Sequence, residues 1–479
     1  MNLLVIDVGT SSVRAAVVNP DQGVVASHST ELLPQSPAPG LVEFDARAMA
    51  AAALSSSQRV MAESGPIEGV GLTNQRASTI VWDRVSGEPV GPGIGWQDLR
   101  TVIDCLTLAG SGIRLAPNLS ATKAAHLWDQ VDPDRTRDLC VGTVDSWLIW
   151  TLTEGKVHAT DATNVALTGL RSGDQASWDS AVLDALRLPP EALPSVVDSI
   201  GVVGHATALP GAPPIAGILG DQQASLLGQG CVAPGDAKIT FGTGGMLDLC
   251  LAERPAFATQ GSGGTFPIVT RSTGGERRWG LEAVMLAAGT NIEWLRDDLG
   301  IIADAADSHT VASRCASSDG VAYVPALLGL GTPVWDYGAR GALMGITRGS
   351  GRPQIVRAVL EGVANRAADL VEAAETDSAM SIGSLRVDGG MSDNPTFIQA
   401  LANATARRIE VSPEREATTL GAAHAAGLAL GAWKDESEVA STWQPKVTVE
   451  PTSEVDRERW ADTLRRAERW FPDLSAISF

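Results

Sequence analysis

Leu3-Leu4-Val5-Ile6-Asp7-Val8-Gly9-Thr10-Ser11-Ser12 near the amino terminus and Ile239-Thr240-Phe241-Gly242-Thr243-Gly244-Gly245 near mid-chain share one design, an apolar run that ends in a glycine turn. Each predicts a strand followed by a tight turn. Glycine lets backbone N–H groups approach a ligand closely, and Thr and Ser hydroxyls add donors suited to phosphate oxygens. One such turn is a weak signal. Two of them divide the sequence into halves with the same opening motif, which points to a duplicated fold clamping one nucleotide in the cleft between the halves.

Composition sets the frame for that reading. A chain of 479 residues is too long for one ordinary core and suits two large domains. With 44% apolar and 19% charged residues it has an ordinary globular balance. A net charge of −20 argues against nucleic acid or an anionic membrane as the main partner, since both reward a basic surface. The five cysteines (105, 140, 231, 250 and 315) are odd in number and never form a C-x-x-C pair, so reduced thiols in a cytoplasmic protein are expected. The amino terminus lacks a basic start and carries Asp7 inside its apolar run, unlike a signal peptide. The stretch Ser199 to Gly220 has no Asp, Glu, Lys or Arg, but its prolines and glycines suit loop and strand rather than a membrane span.

Around the two turns the pattern is α/β. Leu3 to Ile6, Arg14 to Val18 and Gly23 to Ser29 predict a three-stranded meander, followed by an Ala-rich helix over 46–64. Ile67 to Leu72 predicts a strand that delivers Arg76 near its end, and Pro214 to Ile218 a strand that feeds Gly220-Asp221-Gln222-Gln223 into a small-residue helix. Lys238 begins the second glycine-turn unit, which places a domain boundary near Gln229 to Val232 and gives domains 1–229 and 230–479. Helices are expected over 283–299, 354–375, 397–406 and 420–430, and a charged amphipathic one around 456–469. Leu385 to Val387 leads into a third glycine turn at Asp388-Gly389-Gly390.

Several chemistries are excluded by absence of their motifs. No Gly-x-x-x-x-Gly-Lys-Ser/Thr occurs, and no Gly-x-Gly-x-x-Gly opens a dinucleotide unit after a strand. The six histidines show no zinc-ligand spacing. Mg2+ is different, because it needs only one or two carboxylates beside substrate phosphates and water, and Asp7 and Asp221 can supply them.

The chain resembles the FGGY carbohydrate kinases, and within them the glycerol kinases. The resemblance is carried nearly end to end by Asp7 to Arg14, Gly71 to Arg76, Trp96-Gln97-Asp98, Gly142 to Leu148, Gly220 to Gln223, Gly242-Thr243-Gly244, Gly329 to Gly341, Asp388-Gly389-Gly390 and Thr419 to Ala423. It implies a two-domain ribonuclease H-like fold, of the actin and hexokinase kind, with the active site in the interdomain cleft. It implies ATP and Mg2+ as cofactors, a small polyol or sugar as substrate, and a homodimer or homotetramer as compatible assemblies. Carried over by position, Thr10, Ser11, Ser12 and Arg14 surround the transferred phosphoryl group, and Thr243 and Gly244 hold the neighbouring phosphates. Gly289, Glu293, Gly390 and Asn394 line the adenine and ribose pocket, with Glu293 in place of the usual glutamine. Asp221 matches the catalytic base, and Arg76, Gln222 and Trp96 match groups that hold the acceptor.

Three departures fall in the acceptor pocket. A glycerol kinase is expected to carry Glu, Tyr and Phe where this chain has Ala77, Asn118 and Met246. Loss of polar contacts to substrate hydroxyls, together with added space, predicts an acceptor larger than glycerol, a four- or five-carbon polyol or a ketose. The alternatives are an authentic glycerol kinase with a rebuilt pocket and, from another class, a non-kinase ATPase of the actin or Hsp70 kind. ATP hydrolysis indifferent to polyols would mark the second.

Overall fold

A computed structural model describes residues 1–413 and 416–477. Its frame is two large mixed sheets. The first is formed by Leu3–Val8 (β1), Ser12–Asn19 (β2), Gly23–Glu31 (β3), Gly69–Asn74 (β4), Ile200–His205 (β5) and Pro214–Gly220 (β6), in the order β5-β6-β4-β1-β2-β3. The second is formed by Ala237–Phe241 (β7), Gly245–Leu251 (β8), Phe266–Thr273 (β9), Glu276–Met285 (β10), Ser384–Asp388 (β11), Arg408–Val411 (β12) and Val447–Val449 (β13), in the order β9-β10-β8-β7-β11-β12-β13.

The duplication inferred from the two turns is present in these sheets. β1 pairs antiparallel with β2 and parallel with β4, and β7 pairs antiparallel with β8 and parallel with β11. Outward from there, β2–β3 matches β8–β10 and β4–β6 matches β11–β12 in direction. In each half the glycine turn is the connection between the two antiparallel strands. β9 is the extra strand of the second sheet.

The apolar runs explain the cores. β1 is buried on both faces, as expected of a central strand whose sequence does not alternate. Ala46–Ser64 (α1), which has the expected bounds, packs on β2 and β3, and Asp45 caps it by accepting from the N–H groups of Arg47 and Ala48. Arg352–Ser378 (α3) and Pro395–Thr405 (α4) cover the second sheet together with Ile239, Phe241, Leu247 and Leu249.

Two helices join the halves. Asp221–Gly228 (α2) follows β6, while Ala417–Leu430 (α5), from late in the chain, lies on β1, β4 and β6 of the first sheet and crosses α2. A Cβ on Gly421 would overlap the carbonyl of Ala224, and one on Gly228 the carbonyl of Ala417. Only glycine at these two positions lets the helix backbones touch.

One expected helix is replaced by a strand. Residues 283–285 finish β10, whose Ala283 and Met285 pair with Leu247 and Gly245, and helix begins only at Thr290 before passing into a π-turn at Trp294–Asp298. The apolar run suited either state, and cross-strand pairing decided it. The carboxy-terminal helix is also shorter than expected, Arg457–Arg465. All five cysteines are free and four are buried. Among the described residues no helix is long and apolar enough to cross a membrane.

Candidate active site

The site is built where the carboxyl ends of β1, β4 and β6 meet one face of the second sheet. Asp7 lies one residue before the end of β1, opposite Arg14 of β2. Burial pushes the Asp7 carboxyl up to about 6, against the pull of Arg14 and with the repulsion of Asp221 adding to it. Arg14 also pairs with Glu416 at the start of α5 and donates from Nε to Ser29 Oγ at 3.1 Å. The turn between β1 and β2 is held by Gly9 N–H to the Ser12 carbonyl at 3.0 Å and by Gln75 Nε2 to the Gly9 carbonyl at 3.1 Å. Thr10 accepts from Trp96 Nε1 at 3.3 Å, so the first glycine turn touches Trp96 directly.

Arg76 leaves the end of β4 and meets Asp221 at the start of α2. Its Nε is 3.3 Å from Asp221 Oδ1 and its Nη2 2.7 Å from Glu282 Oε2. Asp221 accepts from the N–H of Gln222 at 2.7 Å and keeps 32% of its side chain exposed. Burial raises its pKa, with Arg76 the main opposing influence. A partly exposed, hydrogen-bonded carboxylate with a raised pKa suits a proton acceptor better than a fully neutralised ion-pair member.

The floor of this cluster comes from the second sheet. Register places Lys238 of β7 opposite Asp248 of β8, and Asp248 opposite Glu282 of β10. Lys238 and Asp248 are fully buried and 2.7 Å apart. Met246 and Thr240 lie one step along the same face, while Ile239, Leu247, Leu249 and Ala283 point to the core behind it. Sequence reasoning missed Lys238, Asp248 and Glu282 as site residues. The available signal was a single charge inside each of the apolar strands β7 and β8 and inside the apolar second half of β10, which side-chain alternation places on one face of a buried sheet.

The segments that carry Trp96, Ala77 and Asn118, the residues expected at the acceptor, are drawn together by a buried lysine. Lys123 Nζ donates to the carbonyls of Gly95 at 2.8 Å and Asn118 at 3.1 Å, and burial lowers its pKa to about 7. The Trp96 N–H donates to Ser78 Oγ at 3.0 Å, and Ser120 Oγ donates to the Ala77 carbonyl at 3.0 Å. Ala77 itself is buried and left-handed, with φ 60°. Trp96, Ala77 and Asn118 therefore form one wall, with Asn118 exposed at its rim.

Among the residues expected at the nucleotide, the Gly242-Thr243-Gly244 turn is pinned by N–H groups of the next segment, Ala288 to the Thr243 carbonyl at 2.8 Å and Gly289 to the Gly242 carbonyl at 2.9 Å. Space above Gly242 and Gly390 is open, with no atom closer than 4.0 Å to a Cβ built on Gly242 and none within 4 Å at Gly390. That is a backbone cradle of the kind phosphates occupy. Gly389 packs its Cα against the Phe241 backbone, so the third glycine turn lies beside the second. Asn394 is occupied at both ends of its side chain, accepting from the Phe397 N–H at 3.1 Å as the cap of α4 and donating to Ser308 Oγ at 2.9 Å. Glu293 is exposed at the end of a single helical turn. Ser11 is exposed and Ser12 half-buried at the mouth of the first turn.

The donor set fits Mg2+ bound through nucleotide phosphates. Asp7 and Asp221 repel one another, and no described group of three or more His, Cys, Asp or Glu residues forms a metal cage. Mg2+ keeps its waters and takes one or two carboxylates, which is what the two aspartates offer.

Residues 2–228 match the model of the FGGY family of carbohydrate kinases, N-terminal domain, and residues 237–430 that of its C-terminal domain. The chain is 40% identical to a glycerol kinase of Trichlorobacter lovleyi, over 98% of this chain and 99% of that protein. Its structure is similar to a Plasmodium falciparum glycerol kinase crystallised with ADP, with a TM-score of 0.90, 26% identity, and 100% and 99% of the two chains covered. It shares its fold with a ligand-bound xylulose kinase of Lactobacillus acidophilus, with a TM-score of 0.82, 21% identity, and 97% and 96% covered. The ion-paired aspartate at a helix start, the two glycine turns and these matches agree: the chain belongs to the FGGY family of carbohydrate kinases, glycerol-kinase-like phosphotransferases that use ATP and Mg2+ to phosphorylate a hydroxyl group.

Proposed function

We propose that the protein transfers the terminal phosphoryl group of ATP to a primary hydroxyl of a polyol or sugar larger than glycerol. The observation that carries this is the wall at Ala77: a buried methyl that offers the pocket no carboxylate, flanked by Asn118 at an open rim. Fewer fixed partners and more room favour a longer acceptor, whose extra hydroxyls find water or Asn118.

In this reading Asp221 takes the proton of the acceptor hydroxyl as its oxygen bonds to phosphorus and the bond to the ADP oxygen breaks. General base assistance of this kind is worth on the order of 100- to 10,000-fold. Arg76 and Gln222 align the acceptor, and Trp96 stacks against its carbon face. Thr10, Ser11, Ser12 and Arg14 surround the group in transit, and Thr243 and Gly244 hold the phosphates left behind. Arg14 exchanges Glu416 for phosphate when nucleotide enters. Mg2+, held by Asp7 and Asp221, neutralises phosphate charge when bound. The two units, 1–229 and 230–479, close over the reactants to exclude water.

Glycerol itself is the second reading, favoured by the names of the full-length relatives. Release of ADP measured across glycerol, erythritol, the pentitols and the ketopentoses separates the two. The highest kcat/KM on a four- or five-carbon acceptor supports the larger pocket, and the highest on glycerol refutes it.

A further inference from the structure

Holding an acceptor through Gln222 requires a choice between the two ends of its carboxamide, and Lys238 makes that choice. Lys238 Nζ is 2.6 Å from Gln222 Oε1, 2.9 Å from Thr240 Oγ1 and 2.7 Å from Asp248 Oδ2. An ammonium donates and has no lone pair, so Lys238 meets Gln222 and Thr240 as a hydrogen-bond donor and Asp248 as an ion-pair partner. The amide must present oxygen to Lys238, because the flipped form would set NH2 against NH3+. Gln222 Nε2 then has no acceptor among the described residues. Gln222 is half-buried and adjacent to Asp221, with its remaining surface on the cleft.

The Lys238–Asp248 pair is fully buried, and stability does not account for it. A buried ion pair is often no more stable than apolar side chains of the same volume. Neither carboxylate oxygen of Asp248 has a hydrogen-bond partner among the described residues, a further cost without structural return. What the pair does achieve is to remove the freedom of a long, flexible lysine at the one point where it touches Gln222.

We propose that Asp248 and Lys238 are positioning residues that lock Gln222 with its Nε2 hydrogens toward the acceptor, so that the pocket demands an oxygen able to accept there, a hydroxyl or a carbonyl. This rests on the reading that the acceptor binds at Gln222. It makes a substrate lacking oxygen at that carbon a poor one, since a buried donor would be left unpaired.

The test removes both charges together, so that neither is stranded. The double variant Lys238→Met/Asp248→Leu should raise the acceptor KM about 10-fold, leave kcat within a few-fold, and leave the KM for ATP unchanged. In a Gln222→Ala background the same double change should alter KM less than about twofold, because no amide remains to be locked. Asp248→Asn, which keeps an oxygen beside Nζ, should raise the acceptor KM less than the double variant does. In crystals of the unliganded double variant the Gln222 side chain should leave its single orientation. Equal KM effects in both backgrounds, or a variant crystal with Gln222 unmoved, would overturn the proposal. Lys238→Met/Asp248→Asn, which also strands no charge, serves the same comparisons where the first double variant does not fold. A parent protein inactive on every polyol and sugar would sink the acceptor reading instead, while the crystal comparison still decides the lock.

Discussion

Replacing Arg76 by Met removes one guanidinium from between the buried Glu282 and the half-buried Asp221, and the consequence depends on pH. Arg76 reaches Glu282 at 2.7 Å and Asp221 at 3.3 Å, and Glu282 is only 9% exposed. Stranding a buried charge costs about 3–5 kcal/mol. Glu282 can escape that cost by taking a proton, because burial already raises its pKa to about 7 with Arg76 in place. The folded value lies above the ordinary glutamate value, so its contribution to stability is full below the ordinary value and falls as pH rises toward the folded one. In the parent that fall ends near 7. In Arg76→Met it continues to higher pH, because the main influence lowering the pKa has gone, at about 1.4 kcal/mol per pH unit. Urea unfolding followed by tryptophan fluorescence at pH 6 and pH 9 should therefore show a small loss at the lower pH and one about 3 kcal/mol larger at the higher. The acceptor KM should rise on the order of 10- to 100-fold. A stability loss equal at both pH values would refute the assignment of Glu282 as the titrating partner, and an unchanged acceptor KM would refute contact with substrate.

Asp221→Asn should keep ADP binding by calorimetry and the parent melting temperature while kcat falls at least about 100-fold; an active variant removes Asp221 from the chemistry. Gly421→Ala drives a methyl into backbone of α2 that cannot rotate aside, and should cost about 1–3 kcal/mol or more in thermal unfolding. Gly110→Ala is its control, at the end of a helix with nothing within 4 Å, and should be neutral or slightly stabilising. His424 is buried against Trp433 and burial lowers its pKa to about 4 from the ordinary 6.5. Stability it supports is full above 6.5 and is lost as pH falls toward 4, about 3 kcal/mol in all, so His424→Leu should show a shallower acid loss than the parent across that window.

Much of this was legible before any coordinates. The glycine turns at Gly9 and Gly242, the Asp221 helix start and the Ala46–Ser64 helix are local features, set by turn chemistry and periodicity within a few residues, and each is found where its pattern places it. Residues 283–285 failed that test because an apolar run carries no period to distinguish strand from helix, and only the pairing with β8 settled it. Asn394 shows the other limit. A position matched to a nucleotide pocket is also a helix cap, and the hydrogen bonds of its side chain are visible only once Ser308 and Phe397 are beside it.

By itself the sequence determined that the chain is duplicated, that each half opens with a strand and a glycine turn, and that Asp221 stands where a strand passes into a helix. These follow from backbone preferences that each segment carries alone. Tertiary structure alone decided that Lys238, Asp248 and Glu282 form the floor beneath Arg76 and Gln222, and that α5 crosses from the second half to lie against α2. Strand alternation can say that a charge faces one side of a sheet, but not what waits there. The partner comes from another strand or the other half of the chain, and burial sets the price in protonation only after the two have met.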